Sequence, residues 1–322
     1  MATTLNGLAQ EIVAPDEAAV TAEFVTFLKE ASRRRNPTGP VRRFNQGRAA
    51  GCVEATFEVP DHLPDALRVG LFARPGTYRA HIRFANASSA TDRDKDVRGM
   101  AIALFDVPGE NLTAGSSRQD FVLNSHPVMV AKDSKQFLAL LKAMEAGDLA
   151  RLAFFALHPG LARIGLAAQQ HPTCHLDIPY WSTTPYLFGA GRAVKYVVKP
   201  NSGRTSTLPS PLTDTYLTDA LAARLAETDA AFDFMVQFQV DAERTPIEDA
   251  TAEWPEEDAP YVAMAKIRIP AQRVADPAHA DDCERFAFNP WHSLAEHRPL
   301  GNLNRARRDI YTELSQFREG TL

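Results

Sequence analysis

Apolar and polar positions alternate along residues 232–234 and 236–240, with Phe and Val at one parity and Asp and Gln at the other. This period of two is typical of a β-strand that buries one face. Other segments rich in β-branched and aromatic residues lie between turn residues and predict further strands. The predicted strands are 51–59, 77–85, 99–107, 120–124, 193–199, 232–240 and 261–269.

Helical periodicity occurs near both ends of the chain and in its middle. The first helix ends in a run of three arginines before Pro37, and the central helical pattern is interrupted at Pro159. Proline stops a helix because it has no amide hydrogen and its ring clashes with the preceding turn. The predicted helical segments are 17–34, 133–170, 217–226 and 303–317.

Seven or more strands with inserted and appended helices predict an α+β architecture. A closed antiparallel β-barrel is the favoured form, because closure removes exposed strand edges. No internal repeat or low-complexity linker divides the chain. We therefore expect an N-terminal helical arm at residues 1–40 and one domain at 41–322.

Composition narrows the classes of function. The 322 residues are 45% hydrophobic and 23% charged, which is ordinary for a globular protein. The net charge of −5 gives no reason to expect binding to nucleic acid or to an anionic membrane. No apolar run has the length of a membrane span, and the N-terminus lacks the pattern of a signal peptide. We therefore expect neither nucleic acid nor a membrane as a partner.

The cysteines are Cys52, Cys174 and Cys283, an odd number at wide separations. Such spacing predicts reduced thiols rather than a disulfide framework. We therefore expect a cytoplasmic protein.

The most informative candidate chemistry lies in the last predicted helix. Arg307, Tyr311 and Arg318 share one stripe of this helix, with Leu314 between them. An adjacent cation favours the ionised form of a phenol. A phenolate is a suitable ligand for ferric iron, as in tyrosinate-ligated haem.

Together with segments upstream, this stripe resembles the haem catalase superfamily, specifically its small catalase-related members. The resemblance covers roughly residues 42–318. It implies a catalase-like antiparallel β-barrel with flanking helices and a C-terminal helix that carries the haem ligand. The matching segments are IRF at 82–84, DVRGMA at 96–101, DFVLN at 120–124 followed by PV at 127–128, AFNP at 287–290 and RRDIY at 307–311.

The resemblance implies haem b as the cofactor, with its iron bound by Tyr311. Arg307 would keep the phenol ionised. Arg42, Arg83 and Arg318 match arginines that bind the haem propionates, where a guanidinium suits a carboxylate. The alternative for Arg42 and Arg83 is a surface arginine or an ordinary salt bridge.

On the distal side of the haem, Asn124 matches an asparagine that orients peroxide, and Phe137 matches an aromatic residue that lines the chamber. Asn124 could instead cap the turn before Pro127. The family's distal histidine, three residues after the first propionate arginine, is replaced by Asn45 when counted from Arg42. An amide cannot accept and return a proton near neutral pH.

Two histidines have possible roles. If a strand continued past Asn124, His126 would face the same side and could replace the missing proton carrier. His81 shares a strand face with Arg83 by the same parity. The alternative for each is an ordinary histidine without a catalytic role.

These features favour an oxidoreductase, a catalase-related haem peroxidase or hydroperoxide-converting enzyme. With Asn45 at the distal position we expect organic hydroperoxides or a specialised substrate rather than fast dismutation of hydrogen peroxide. The first alternative is a haem-binding or sensor protein without turnover, and the second is a scaffold without haem. Catalase relatives are commonly oligomeric, so a homodimer is an expectation by analogy.

Overall fold

The computed structural model describes residues 7–201, 203–274 and 283–321. The first six residues of the predicted N-terminal arm lie outside this range. The strands are β1 (Arg48–Val59), β2 (Gly76–Asn86), β3 (Arg98–Leu104), β4 (Gln119–Asn124), β5 (Tyr180–Trp181), β6 (Tyr186–Leu187), β7 (Ala193–Pro200), β8 (Ala230–Phe238) and β9 (Tyr261–Ile269).

The predicted strands are all present, although β3 ends at Leu104 rather than at residue 107. Asp106 has a φ of 57°, and this left-handed conformation takes the chain out of the strand. The two-residue strands β5 and β6 had no pattern long enough to predict. They nevertheless decide the topology, because β5 pairs with both β4 and β7.

This double pairing closes the sheet into a barrel. The strand order is β5-β4-β3-β2-β1-β9-β8-β7, and the β5–β7 pairing returns to the start, with β6 as an extra strand on β7. Every pairing is antiparallel. The predicted α+β barrel is confirmed.

Aromatic side chains fill the barrel interior. Phe57 stacks on Phe121, and Phe234 packs against both of these rings. Tyr196 joins them from β7. An eight-stranded barrel is just wide enough to be filled by its own side chains. Any ligand must therefore bind outside the barrel.

The helices lie where the periodicity predicts them, but the segment 133–170 is three helices rather than one. Asp133 begins the first by accepting a hydrogen bond from the Gln136 amide at 2.8 Å. Gly147, with a φ of 102°, lies between the first and second helices, and Pro159 begins the third. The helices are α1 (Glu17–Arg35), α2 (Ser134–Glu145), α3 (Asp148–Leu157), α4 (Pro159–Ala168), α5 (Tyr216–Glu227) and α6 (Asn302–Glu319).

The N-terminal helix is packed against the C-terminal one. Phe24 and Leu28 of α1 form an apolar cluster with Leu138 of α2 and with Ala306 and Ile310 of α6. The two ends of the chain therefore position each other. The predicted division between an arm at 1–40 and a domain at 41–322 stays a prediction.

Among the described residues, no single helix has the length and apolar composition needed to cross a bilayer. Helices α3 and α4 meet those criteria only when taken together, and they are bent by 114° at their junction.

The expectation of reduced thiols is wrong for two of the three cysteines. Cys52 and Cys283 form a disulfide across 231 residues of sequence, with Cα atoms 5.8 Å apart. Cys174 is free and buried. Sequence spacing could not predict the pair, because the fold alone brings residue 283 to β1. The cytoplasmic expectation, which rested on reduced thiols, stays a prediction with less support.

Candidate functional site

The floor of the candidate site is the outer face of the barrel. The antiparallel register aligns Cys52, Arg83, Ala101 and Val122 in one row across β1 to β4. Their neighbours along each strand point into the barrel, since side chains alternate between faces. Ala101 and Val122 are small, and they leave a space above the sheet.

The C-terminal helix α6 forms the opposite wall. Ile310, Tyr311, Leu314, Ser315 and Arg318 face the pocket, at the three- and four-residue spacing that places side chains on one side of a helix. The pocket holds about 800 Å³ of empty space, counted to its opening into solvent. The cavity that a water-sized sphere can fill is about 150 Å³, which is smaller than the roughly 300–1,000 Å³ of sites for small ligands and cofactors.

Tyr311 has its phenol oxygen fixed by Arg307. The Arg307 guanidinium donates to Tyr311 Oη at 3.2 Å, and also to Thr184 Oγ1 at 3.3 Å and Asn304 Oδ1 at 3.1 Å. Burial by itself lowers the pKa of Arg307, but the phenol oxygens of Tyr311 and Tyr186 outweigh this and raise it. Arg307 therefore remains a cation beside the Tyr311 oxygen.

Three arginines lie close together in the pocket. Arg43, Arg83 and Arg318 all line it, and the carboxylate of Glu284 bridges the first two. The sequence predicted Arg42 for one of these positions, but the structure places its side chain in solvent and Arg43 in the pocket. Residues 42–47 have no regular secondary structure up to β1, so spacing along the chain did not indicate which arginine faces inward.

Burial and the like charge of neighbouring arginines make the protonated forms of Arg43 and Arg318 less favourable. Burial, followed by the charge of Arg83, lowers the pKa of Arg43 to about 9. Burial is also the main cause that lowers the pKa of Arg318, and Arg83 again contributes. Three guanidiniums and one carboxylate leave an excess of positive charge in a partly buried site. Such a site favours an anionic ligand.

An amide pair extends from the pocket, since Gln46 lines it and Asn124 is not among its lining residues. Gln46 Nε2 donates to Asn124 Oδ1 at 3.1 Å. The Gln46 amide lies directly on Gly99, where an added Cβ would meet its Oε1 at 1.8 Å. Asn45 also lines the pocket, but its side chain is exposed and does not reach Asn124. Gln46 rather than Asn45 therefore contacts Asn124, and its backbone has a φ of 56°.

Phe137 does not line the pocket, contrary to its predicted role. Its ring packs edge-on against Phe24 of α1 at 5.7 Å, within the apolar cluster that joins α1, α2 and α6. The match to an aromatic residue of the distal chamber placed it on the wrong side of α2.

The two histidine hypotheses differ in outcome. Strand β4 ends at Asn124, so the parity argument for His126 fails, and His126 is not among the residues that line the pocket. His81 does share a face with Arg83, but its Nδ1 lies 2.8 Å from Glu54 Oε1 and its ring packs on Phe286. Neither histidine reaches the Gln46–Asn124 pair.

Across the described part of the chain, no group of three or more His, Cys, Asp and Glu side chains could hold a metal ion. Tyr311 is of a different residue type and lines the pocket, and its predicted role as a metal ligand stays a prediction.

The barrel, its flanking helices and the position of the pocket define the catalase fold. A fungal catalase and catalase A from Saccharomyces cerevisiae each superpose with a TM-score of 0.70 at 18% sequence identity. The superpositions cover 90% of this chain but only 62% and 63% of the two catalases. No protein-family model and no curated protein sequence matches the chain.

Three residues of the site escaped the sequence prediction. Arg43 and Gln46 keep the three-residue spacing that was assigned to Arg42 and Asn45, so counting from the second arginine would have identified them. Glu284 had no signal at all. It reaches the pocket only because residues 283–284 pack against β1 and β2.

Proposed function

We propose that this chain binds haem b between the outer face of β2–β4 and helix α6, and that it converts hydroperoxides. The observation that carries the proposal is that one pocket combines a phenol with three arginines. Tyr311, hydrogen-bonded to the Arg307 cation, lines the same pocket as Arg43, Arg83 and Arg318. A phenolate suits ferric iron, and guanidiniums suit carboxylates.

The residues present fit a haem. Arg83 is 3% exposed, and its Nε has no hydrogen-bond partner among the described residues. Arg318 also has no ion-pair partner within the described ranges. These donors would bind the two propionates, and Tyr311 would bind the iron. Leu28, Val122 and Leu314 supply the apolar surface that a porphyrin needs.

Haem iron, when bound, supplies the oxygen chemistry. The chain's own residues select what reaches it. The Gln46 and Asn124 amides can donate to a hydroperoxide and orient it, but they cannot move a proton between its two oxygens. Homolytic cleavage of an O–O bond needs no base at this position. Organic hydroperoxides or a specialised substrate are therefore favoured over fast dismutation of hydrogen peroxide.

A second candidate is a haem-binding or sensor protein without turnover. One observation favours it: within the described residues, no His or Asp lines the pocket, and the glutamate that reaches it, Glu284, is paired with Arg43 and Arg83. The two candidates differ only in whether bound haem consumes a peroxide.

Titration of the purified protein with haem b, followed by absorption, tests the proposal. We expect one haem per chain, and Tyr311→Phe should weaken binding at least about tenfold and change the spectrum, because the anionic ligand is lost. Tyr78→Phe is the matched control, since the Tyr78 hydroxyl makes no hydrogen bond within the described residues. Absence of binding would overturn the proposal.

The loaded protein is then mixed with a fatty-acid hydroperoxide and, separately, with hydrogen peroxide. Consumption of the organic hydroperoxide supports the enzyme, and unchanged peroxide with bound haem supports the sensor. Oxygen release at catalase-like rates would contradict the role assigned to the amide pair.

A further inference from the structure

We propose that Glu284, held in place by the Cys52–Cys283 disulfide, is a built-in carboxylate that competes with the carboxylates of the cofactor. Reduction of the disulfide would then raise the affinity for haem. The inference rests on the proposed function, because it concerns the same pocket.

The geometry places the competitor directly on the anion site. Cys52 of β1 lies opposite Arg83 of β2 in the strand register. The disulfide attaches residue 283 to Cys52, and the next residue, Glu284, reaches Arg83 Nη2 with Oε1 at 2.9 Å. Its Oε2 lies 2.8 Å from Arg43 Nη1. One carboxylate thus spans two guanidiniums.

This arrangement is the one expected for a carboxylate ligand. Charge-assisted pairs with arginine are specific in geometry and about twice as strong as neutral hydrogen bonds. Glu284 is 40% exposed on its side chain, whereas Arg83 is 3% exposed and Arg43 is 11% exposed. The carboxylate therefore approaches buried cations from the open side, the direction from which a ligand would enter.

An incoming carboxylate must displace Glu284 or accept fewer donors. Arg318 and the Nε of Arg83 would still be available to it. Arg43 and Arg83 already donate four hydrogen bonds to Glu284 and to nearby carbonyl oxygens. These groups would not be available to the incoming carboxylate. Removal of the Glu284 charge should therefore strengthen binding of a dicarboxylate and leave an uncharged analogue unaffected.

The disulfide controls how effectively Glu284 competes. A covalent link one residue away keeps the carboxylate at a high effective concentration beside the arginines. A dithiol reductant supplies two electrons and two protons, the S–S bond breaks, and Cys52 and Cys283 become thiols while the dithiol becomes a cyclic disulfide. Glu284 then loses its anchor on the Cys283 side and keeps its ion pairs and the anchor at Phe286, so a second carboxylate displaces it more easily.

The test measures haem b dissociation constants by absorption titration of the full chain. The variants are Glu284→Gln and the double variant Cys52→Ser/Cys283→Ser. A third sample is wild-type protein reduced with dithiothreitol, alkylated with iodoacetamide and freed of reagents, so the result does not depend on folding of a variant. Glu54→Gln is the matched control, because Glu54 lies on the same face of β1 and pairs with His81 instead.

We expect Glu284→Gln to lower the dissociation constant about tenfold, which corresponds to one charge-assisted contact. Removal of the disulfide should lower it about threefold to tenfold. Haem dimethyl ester, which has no free carboxylate, should bind all samples alike, and Glu54→Gln should match wild type.

Equal or weaker haem b binding by Glu284→Gln and by the disulfide-free samples would overturn this inference while leaving the proposed function intact. An equal gain with the dimethyl ester would also overturn it, because the gain would not depend on the propionates. Absence of haem binding in every sample would instead overturn the proposed function.

Discussion

The two faces of β2 and β3 differ sharply in chemistry. Ile82 and Ile102 point into the barrel and are fully buried against aromatic rings. Arg83 and Ala101, one residue away in each strand, point outward into a cationic pocket. The inner face therefore contributes to stability, and the outer face lines the proposed ligand site. We expect a substitution on one face to leave the property of the other unchanged.

A physical reason explains why the site is outside. The interior is filled by rings such as Phe57, Phe121 and Phe234, whose centroids lie 4.8–6.3 Å apart. Interiors packed in this way have no room for a large ligand. On the outer face, small residues on the strands meet a helix held off by its own side chains. The space for a cofactor arises between elements rather than within the barrel.

The largest expected effect is on the outer face. Gln46→His should raise turnover of hydrogen peroxide about 10²–10⁴-fold in the haem-loaded protein, because an imidazole can accept and return a proton. Histidine is among the residues that tolerate the positive φ of this position. Oxygen release measured with an electrode checks it.

Gln46→Asn is the matched control, since it keeps an amide. Turnover that does not rise in Gln46→His, in protein shown to carry haem, would mean that the distal proton carrier is not what limits the reaction.

The inner face should respond in stability alone. Ile102→Ala removes buried methyl groups from the barrel core and should lower the free energy of unfolding by about 2–5 kcal/mol. Denaturant unfolding measures this, and a haem titration of the same variant should give an unchanged dissociation constant.

Ala101→Phe is the counterpart on the outer face. It should weaken haem binding at least about tenfold by filling the pocket, with a change in unfolding free energy of less than about 1 kcal/mol. If Ile102→Ala weakened haem binding as strongly as Ala101→Phe, the two faces would not be independent.

The barrel core should also be sensitive to acid. His297 is buried against Phe72, and its Nε2 accepts a hydrogen bond from the Leu71 amide at 3.1 Å. Burial lowers the pKa of His297 to about 4, whereas an unfolded chain has a value of about 6.5. Between these values the unfolded state binds more protons, so stability rises with pH and is lost as the pH falls from about 6.5 to about 4.

This loss should amount to about 3 kcal/mol. His297→Gln should flatten the dependence of unfolding free energy on pH across that window, and His62→Gln should not, because the His62 side chain is 83% exposed. An unaltered slope in His297→Gln would contradict the assignment. Part of the slope should remain in that variant, since burial also lowers the pKa of His175, to about 3.

Local sequence predicted the helices and strands, and it predicted the facing of individual residues that lie within them. The stripe of Tyr311, Leu314 and Arg318 could be predicted because a helix repeats every 3.6 residues. Arg83 could be predicted because a strand alternates. Asn45 was assigned the place of Gln46, and Arg42 that of Arg43, since both precede β1 in an irregular segment where no period exists.

The sequence by itself determined which residues alternate, which segments are helical, and that a phenol stands one helical turn after an arginine. These follow from local backbone geometry, which acts over a few residues. Only the tertiary structure decided that β5 closes the barrel and that Cys283 meets Cys52. It also decided that Glu284 lies on the arginines of the pocket. These contacts lie beyond the range of local periodicity, and they form only when the whole chain packs.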